Sequence, residues 1–231
     1  YIVVVSDNLK NRLVDKGCSD HKISVVNEGI DLEEFSPQRS STKLRAEYGL
    51  PPDAKLIINI GMIRPDKGQK YFVRSAEAIA QKIPSAVFMV VGAGTKPEFE
   101  EELRAEIASS TCADQFILTG YRGDIADCIA ASDCVVVSSL LETHSRVIPQ
   151  AYAIKRPVVA TAVGGIPDIL QDRVTGRLVP ARDATALANA VIETLSQDNR
   201  HQLDLALEYA KQKFSFDTMM QNTLDAYQKC L

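Results

Sequence analysis

Residues 138–170 read SSLLETHSRVIPQAYAIKRPVVATAVGGIPDIL and decide the fold of this chain. An apolar run just before them leads into a short polar loop with a single acid, Glu142, and a helical segment then carries Gln150 eight residues later. A second apolar run ends at Gly164 and Gly165, ahead of another helical segment. Apolar runs that alternate with helical segments predict parallel strands whose following loops meet at one edge of a sheet.

The same alternation extends along most of the 231 residues. Apolar runs predict strands at 2–5, 23–26, 56–61, 86–91, 116–119, 133–137, 158–161 and 176–179. Helical periodicity is found in Phe72/Ala76/Ile79/Ile83, Phe99/Leu103/Ile107, Leu187/Val191/Leu195 and Phe216/Met220/Leu224/Tyr227. We therefore predict an α/β fold with a doubly wound, Rossmann-like parallel sheet. Ligands of such sheets bind beyond the carboxyl ends of the strands.

The composition excludes several classes of function. Hydrophobic residues make up 45% of the chain and charged residues 24%, which is ordinary for a globular protein. No apolar run approaches the ~20 residues that cross a bilayer. The net charge of −4 argues against a nucleic-acid partner.

The five cysteines are scattered and contain no C-x-x-C pair. We interpret them as reduced thiols of a cytoplasmic protein, without a metal site. The chain starts at Tyr1 inside a strand-like run, so we expect it to be part of a longer protein.

A cationic turn follows the predicted strand at 56–61. Arg64 and Lys67 lie three residues apart, just before a helix. A guanidinium suits planar contact with several oxygens and an ammonium acts as a point charge, so the two together suit a diphosphate. The alternative is a solvated surface turn, because such short patterns are common.

Two further turns follow predicted strands. Gly92 and Gly94 begin a turn after the strand at 86–91, but Pro97 stands where a dinucleotide-binding motif has its third glycine, so we predict only a tight turn. In the next turn, Arg122 follows Tyr121 and precedes Gly123-Asp124. An ion pair between Arg122 and Asp124 within this loop is an equally good interpretation of their side chains.

These motifs together resemble the donor site of family 4 glycosyltransferases. That family has two glutamates separated by seven residues, then PVV-(A/G)-T and GG, and a G-x-x-R-x-x-K-G element earlier in the chain. Here Glu142 matches the first glutamate and Gln150 replaces the second. The resemblance implies the C-terminal half of a GT-B enzyme that binds a nucleoside-diphosphate sugar.

The resemblance also assigns roles to residues. Glu142, Arg64 and Lys67 would be catalytic, with Glu142 holding the donor sugar and the two cations its phosphates. Backbone amides from His144 to Val147 would face the distal phosphate, where negative charge grows as the glycosidic bond breaks. Gln150 would hold the ribose, less strongly than a carboxylate. The donor-binding set is Gly61, Gly92, Gly94, Tyr121, Arg122, His144, Ser145, Arg146, Val147, Gln150, Gly164 and Gly165.

Each of these roles has a simpler alternative. Glu142 suits a helix-capping acid, Gln150 a solvent-facing amide, and His144 an ordinary loop histidine. Gly164 and Gly165 either admit a ligand to the backbone or only turn the chain. The functional interpretation requires Arg64, Lys67 and the backbone after Glu142 to converge on a single pocket.

The resemblance implies two domains. Residues 1–32 would be a remnant of the N-terminal domain with the interdomain linker, and residues 33–231 the donor-binding domain with a C-terminal crossover helix. The half that binds the acceptor and supplies the catalytic histidine would lie outside this chain. We therefore expect the chain alone to bind a nucleotide weakly and to transfer nothing.

The expected activity is a retaining, metal-independent hexosyl transfer to a glycan or lipid-linked acceptor, as in polysaccharide or lipopolysaccharide biosynthesis. No cofactor is expected besides the donor substrate. Peripheral association of the full-length protein with the inner face of the membrane and the oligomeric state stay open. A nucleotide-sugar 2-epimerase and a non-catalytic nucleotide-sugar-binding module are the two alternatives.

Overall fold

The computed structural model describes residues 1–40 and 42–229. The strands in these residues are β1 (Ile2–Val4), β2 (Ile23–Val25), β3 (Lys55–Ile60), β4 (Ala86–Val91), β5 (Phe116–Gly120), β6 (Cys134–Val137), β7 (Val158–Thr161) and β8 (Arg177–Val179). All eight predicted strands are confirmed, with boundaries that move by at most one residue.

The strands form two sheets. Six of them lie in the order β5-β4-β3-β6-β7-β8, and every neighbouring pair is parallel. The chain leaves the central strand β3 in one direction through β4 and β5, and then returns to its other side with β6. The sheet order thus reverses between β3 and β6, which is where doubly wound folds bind ligands. The predicted fold class is confirmed.

The α-helices of the described residues are α1 (Asp7–Asp15), α2 (Thr42–Glu47), α3 (Gln69–Lys82), α4 (Pro97–Ala108), α5 (Ile125–Ala131), α6 (Val147–Ala153), α7 (Ile166–Ile169), α8 (Ala184–Ser196), α9 (Arg200–Phe214) and α10 (Phe216–Gln228). Periodicity predicted α3, α4, α8 and α10. Local chemistry sets several starts: Pro97 is the first residue of α4, and the Asp183 carboxylate accepts the Ala186 amide at 2.8 Å before α8.

Two hydrophobic clusters cover the faces of the large sheet. On one face α5, α6 and α9 pack around Tyr152, which is fully buried. On the other face α3, α4 and α8 pack around Phe72. Cys112, Cys128 and Cys134 are buried free thiols within these layers, as expected of core thiols, whereas Cys18 is only partly buried and Cys230 lies outside the described residues.

A second, two-stranded sheet lies within the first 25 residues. β1 and β2 pair in parallel as their own sheet. The Asp168 carboxylate accepts the Asn8 amide at 2.8 Å, which ties the start of α1 to α7. The following connection is anchored through Ile30, whose amide donates to the Phe214 carbonyl at 2.7 Å. The division at residue 32 stays a prediction.

Helix α10 presents its apolar stripe to solvent. Phe216, Met220, Leu224 and Tyr227 are each about half exposed or more. Periodicity therefore predicted the helix correctly, but this stripe is not part of either core cluster. None of the described helices is long and apolar enough to span a bilayer.

Candidate functional site

The loops after β3 and β6 meet at the point where the sheet order reverses. Gly68, at φ +64°, ends the turn after β3, and a Cβ on it would lie 2.1 Å from the Ser138 carbonyl oxygen. The Ser138 hydroxyl donates to the Lys67 carbonyl at 3.1 Å, and the Leu140 amide donates to the Asp66 carbonyl at 2.7 Å. Glycine and backbone hydrogen bonds thus hold the two loops in direct contact.

A lysine from one loop and an acid from the other form an ion pair at this contact. The Lys67 Nζ lies 2.6 Å from the Glu142 Oε2, and both side chains are largely buried. The Ser139 hydroxyl donates to the same carboxylate oxygen at 3.3 Å. The structure therefore brings together two of the three residues predicted to be catalytic.

Arg64 lies on the same loop but contacts a different acid. Its Nε donates to the Asp66 Oδ1 at 2.8 Å, and its Nη2 bonds the other oxygen of that carboxylate. This hydrogen bonding lowers the pKa of Asp66 and raises that of Arg64. Arg64 also borders a cleft of about 470 Å³ between α3 and α4, which neither Lys67 nor Glu142 lines.

The glycine pair after β7 brings backbone against the Glu142 loop. Gly164 has φ +53°, and a Cβ on it would lie 1.7 Å from the Glu142 carbonyl oxygen. The Gly165 amide donates to the same oxygen at 3.0 Å. The pair therefore turns the chain closely against the backbone of Glu142, and the approach of a ligand to this backbone stays a prediction.

Glycines also connect the ends of β3, β4 and β5. A Cβ on Gly92 would lie 2.0 Å from the Gly61 carbonyl oxygen, and the Gly92 amide donates to the Gly120 carbonyl at 2.9 Å. Gly94 pairs with Ile63 as an isolated bridge. These contacts support the tight turn predicted for Gly92 and Gly94, beside the Arg64 loop.

Arg122 belongs to a hydrogen-bonded cluster. Its guanidinium contacts Asp124, Glu47 and the Tyr48 hydroxyl at 2.6 to 3.0 Å. The hydrogen bonds that Arg122 donates to Asp124 and Glu47 raise the pKa of Arg122. The loop ion pair with Asp124 is thus present, while Tyr121 beside it is 83% exposed.

The segment after Glu142 is more buried than the sequence suggests. His144, Ser145 and Gln150 are each at least nine-tenths buried. His144 packs against the Phe214 ring, and both of its ring nitrogens lack a hydrogen-bond partner among the described residues. Burial lowers the pKa of His144, more than the nearby acids Glu28 and Glu142 raise it.

Gln150 in α6 and Arg146, which immediately precedes this helix, have surroundings that the sequence did not predict. The Gln150 side chain is largely buried and makes no hydrogen bond to any described residue, so its role at the ribose stays a prediction. Arg146 is exposed, and its Nε lies 3.8 Å from the Glu28 Oε2. Val147 is the first residue of α6.

Several neighbours of the site did not stand out in the sequence. Asp66, Ser139 and Glu28 each contact a predicted site residue, but acids and serines in loops carry little signal. Asn59 carried a stronger signal, because it is polar within an apolar strand. Its amide bonds the Val136 carbonyl at 2.9 Å and the Ser138 hydroxyl at 3.1 Å, across the junction of β3 and β6. In the described residues, no cluster of three His, Cys, Asp or Glu side chains could hold a metal ion.

Comparison with known sequences identifies the family. The sequence model described as "Glycosyl transferases group 1" matches residues 54–197, which contain both loops of the site. The chain belongs to the group 1 glycosyltransferases. This confirms the resemblance at the level of group 1, and the narrower assignment to family 4 stays a prediction.

Curated relatives show how much of a group 1 glycosyltransferase the chain represents. The D-inositol 3-phosphate glycosyltransferases of Xylanimonas cellulosilytica and Kribbella flavida are 33% and 32% identical to it over 221 residues. Each alignment covers 91% of this chain and 52% of the relative. The chain therefore spans about half the length of these curated relatives.

Solved structures of glycosyltransferases share the fold. Anabaena HepE, crystallised with UDP and glucose, has a TM-score of 0.88 at 25% identity, covering 98% of this chain and 62% of HepE. The C-terminal domain of the group 1 glycosyltransferase LpcC from Francisella tularensis has a TM-score of 0.71 at 25% identity. That alignment covers 81% of this chain and 100% of the LpcC domain. The Rossmann-like GT-B architecture is thus confirmed.

Proposed function

We propose that this chain is the nucleotide-sugar-binding part of a retaining, metal-independent hexosyltransferase of family 4. The observation that carries the proposal is the Lys67–Glu142 pair between the β3 and β6 loops. It places a cation suited to phosphate beside a carboxylate suited to sugar hydroxyls, at the switch point of a doubly wound sheet.

In this proposal the donor's diphosphate replaces Glu142 as the ion-pair partner of Lys67. Arg64 turns from Asp66 to the same phosphates, and the freed Glu142 carboxylate accepts hydrogen bonds from the sugar. Because these cations would balance the diphosphate charge, no metal ion is required. Backbone amides from His144 to Val147 would stabilise the negative charge of the leaving phosphate.

The proposed donor is a UDP sugar. HepE, which is 25% identical to this chain, has been crystallised with UDP-glucose. The nucleobase would lie by the backbone of Tyr121 and Arg122, and the ribose by Gln150. A buried glutamine offers the ribose hydroxyls a neutral acceptor, so we expect modest affinity.

The acceptor and the rest of the catalytic machinery are proposed to come from a further domain. The chain spans about half of its curated relatives, and the apolar stripe of α10 is exposed as a docking face would be. A glycan or lipid-linked acceptor remains the proposal, with peripheral membrane association of the full-length protein. The named activity of the curated relatives adds a phosphorylated inositol as a second candidate acceptor. The chain alone would transfer no sugar.

Calorimetric titration of UDP, GDP, ADP and UDP-glucose tests the donor site. Lys67→Gln should weaken binding of the preferred nucleotide at least ~10-fold, because it removes a charged phosphate contact. Lys82→Gln is the matched control, since Lys82 is exposed at the far end of α3. Binding in EDTA should equal binding in magnesium. Unchanged affinity in Lys67→Gln, or no binding of any nucleotide, would refute the proposal.

A further inference from the structure

A second cationic pocket lies at the opposite edge of the large sheet. Its volume is about 280 Å³, and its lining includes Arg45, Asp133, Lys155 and Arg156. Asp133 immediately precedes β6, and Arg156 lies two residues before the start of β7. The pocket thus sits at the amino ends of the strands. The length of β6, about 13 Å for four residues, separates it from the Lys67–Glu142 pair.

The pocket has more positive than negative charge. Three cations line it, and Asp133 is the only carboxylate among the lining residues. That carboxylate is already engaged, by Arg45 at 2.7 Å, Lys55 at 3.5 Å and the Leu56 amide at 2.9 Å. In a chain with a net charge of −4, this is a local reversal of sign.

Arg156 has no carboxylate partner among the described residues. Its Nε and Nη2 both donate to the Ala130 carbonyl, at 3.2 and 2.6 Å, and burial lowers the pKa of its guanidinium. Carbonyls at the end of α5 offset part of the charge. The Nη1 forms no hydrogen bond to a described residue. The nearby Asp133 carboxylate partly opposes this lowering, but it already pairs with Arg45 and Lys55. A further anion would therefore stabilise the largely buried guanidinium.

Lys155 supplies an independent observation. Lys155 follows α6 and has a left-handed backbone with φ +57°. Helices commonly have glycine at this position, because a Cβ makes the left-handed conformation unfavourable. The Lys155 amide donates to the Tyr152 carbonyl and the Arg156 amide to that of Ala151, which completes the helix-ending motif. A strained non-glycine residue is a reason to look for function. Here the strain places a lysine ammonium at the rim of the pocket, 2.5 Å from the exposed Asp204.

We propose that this pocket binds the phosphate group of a small anion, either inorganic phosphate or a phosphate monoester. Guanidinium groups suit the tetrahedral oxygens, and the Lys155 ammonium, which pairs with Asp204 in this structure, would turn to the phosphate as a point charge. The site is separate from the proposed donor site and does not depend on it. A bound phosphate would link α2, α5 and α6 at the amino edge of the sheet.

Amide chemical shifts locate phosphate binding in the chain. Inorganic phosphate titrated at constant ionic strength with chloride should shift the amides of residues 130–133 and 155–156 to saturation. Because the donor site also suits phosphate, the titration is repeated in Lys67→Gln, where the shifts at residues 130–133 should persist. Absence of saturable shifts at these residues, with or without shifts at 142–147, would refute the pocket and leave the donor site unaffected.

Two substitutions distinguish phosphate binding from the structural hydrogen bonds that Arg156 donates to the end of α5. Arg156→Lys should weaken phosphate binding at residues 130–133 at least ~10-fold, since the fork of donors is lost. Without phosphate, Lys155→Gly should have the same melting temperature as the unaltered chain or a higher one, because glycine tolerates this backbone conformation. Phosphate should raise the melting temperature of Lys155→Gly by less than it raises that of the unaltered chain. Arg104→Gln, on the exposed face of α4, is the charge-matched control. Equal phosphate stabilisation of Lys155→Gly and the unaltered chain would overturn the proposal.

Discussion

Lys67 and Glu142 come from the ends of two different strands and meet at 2.6 Å, so the residues proposed to hold the phosphate and the sugar neutralise each other. In the proposed donor site, a nucleotide sugar would have to separate this pair before it could contact either residue. The nucleotide would therefore compete with a carboxylate that belongs to the protein itself. This competition makes the energetics of donor binding testable without any acceptor.

Glu142→Gln should strengthen binding of UDP by about 3–10-fold, because Lys67 no longer has to leave a charged partner. Binding of UDP-glucose should gain less, since the sugar loses a charged acceptor. The measurement is the ratio of the two dissociation constants by calorimetry. Asp114→Asn, an exposed acid at the other edge of the sheet, controls for the change in net charge. Equal gains for both ligands would show that Glu142 does not contact the sugar.

Gly164→Ala should destabilise the chain by about 2–4 kcal/mol. Its Cβ would fall 1.7 Å from the Glu142 carbonyl oxygen, so the backbone of one loop must move, and φ +53° adds strain. Gly49→Ala is the matched control: its φ is +59°, but nothing lies within 4 Å of the added Cβ. Gly49→Ala should therefore lower the unfolding free energy only by about 1 kcal/mol, which is the cost of a left-handed backbone for a residue other than glycine. Chemical denaturation measures both, and equal losses would contradict the packing role of Gly164.

The sequence alone was sufficient to predict the strands and to predict that the loops after β3 and β6 meet. Buried parallel strands are continuous apolar runs, and parallel strands place the residues that follow them at one edge. Two of the helices that were missed, α5 and α9, have a common cause. Helix α5 reads IADCIAA and is buried nearly all round, and the buried face of α9 is built from Ala206, Ala210 and Phe214. Alanine gives a weak periodic signal.

Side-chain pairing could not be predicted in the same way. The sequence shows that Arg64 and Lys67 share a loop. It does not show that Arg64 forms an ion pair with Asp66 and Lys67 with Glu142. These choices depend on ångström-scale positions set by close contacts such as Gly68 against Ser138. The burial of His144 likewise follows from the packing of α9 through Phe214, and α9 was not predicted.

Gln150→Glu tests whether residue 150 holds the ribose. A carboxylate in this buried position should cost about 1–2 kcal/mol of unfolding free energy at pH 8, where burial opposes its charge. The same change should improve UDP binding about 10-fold while leaving 2′-deoxy-UDP less affected, since a charged acceptor strengthens hydroxyl contacts. Gln81→Glu, at an exposed position of α3, is the control. An unchanged ratio between the two nucleotides would place the ribose elsewhere.

His144→Phe should stabilise the chain by about 1 kcal/mol near neutral pH, since it replaces a buried imidazole without hydrogen-bond partners by an apolar ring against Phe214. Burial lowers the pKa of folded His144, whereas an unfolded imidazole titrates near pH 6.5. The unfolded chain therefore takes up a proton first, and the unfolding free energy should fall as pH drops from about 6.5 to the folded pKa. The limiting slope is about 1.4 kcal/mol per pH unit. Carboxylates such as Glu193, with a pKa of about 2, lose their contribution only below about pH 4.5. Denaturant titrations of both chains between pH 5 and 8 should show this slope in the unaltered chain alone, and parallel curves would mean that His144 is protonated equally in both states.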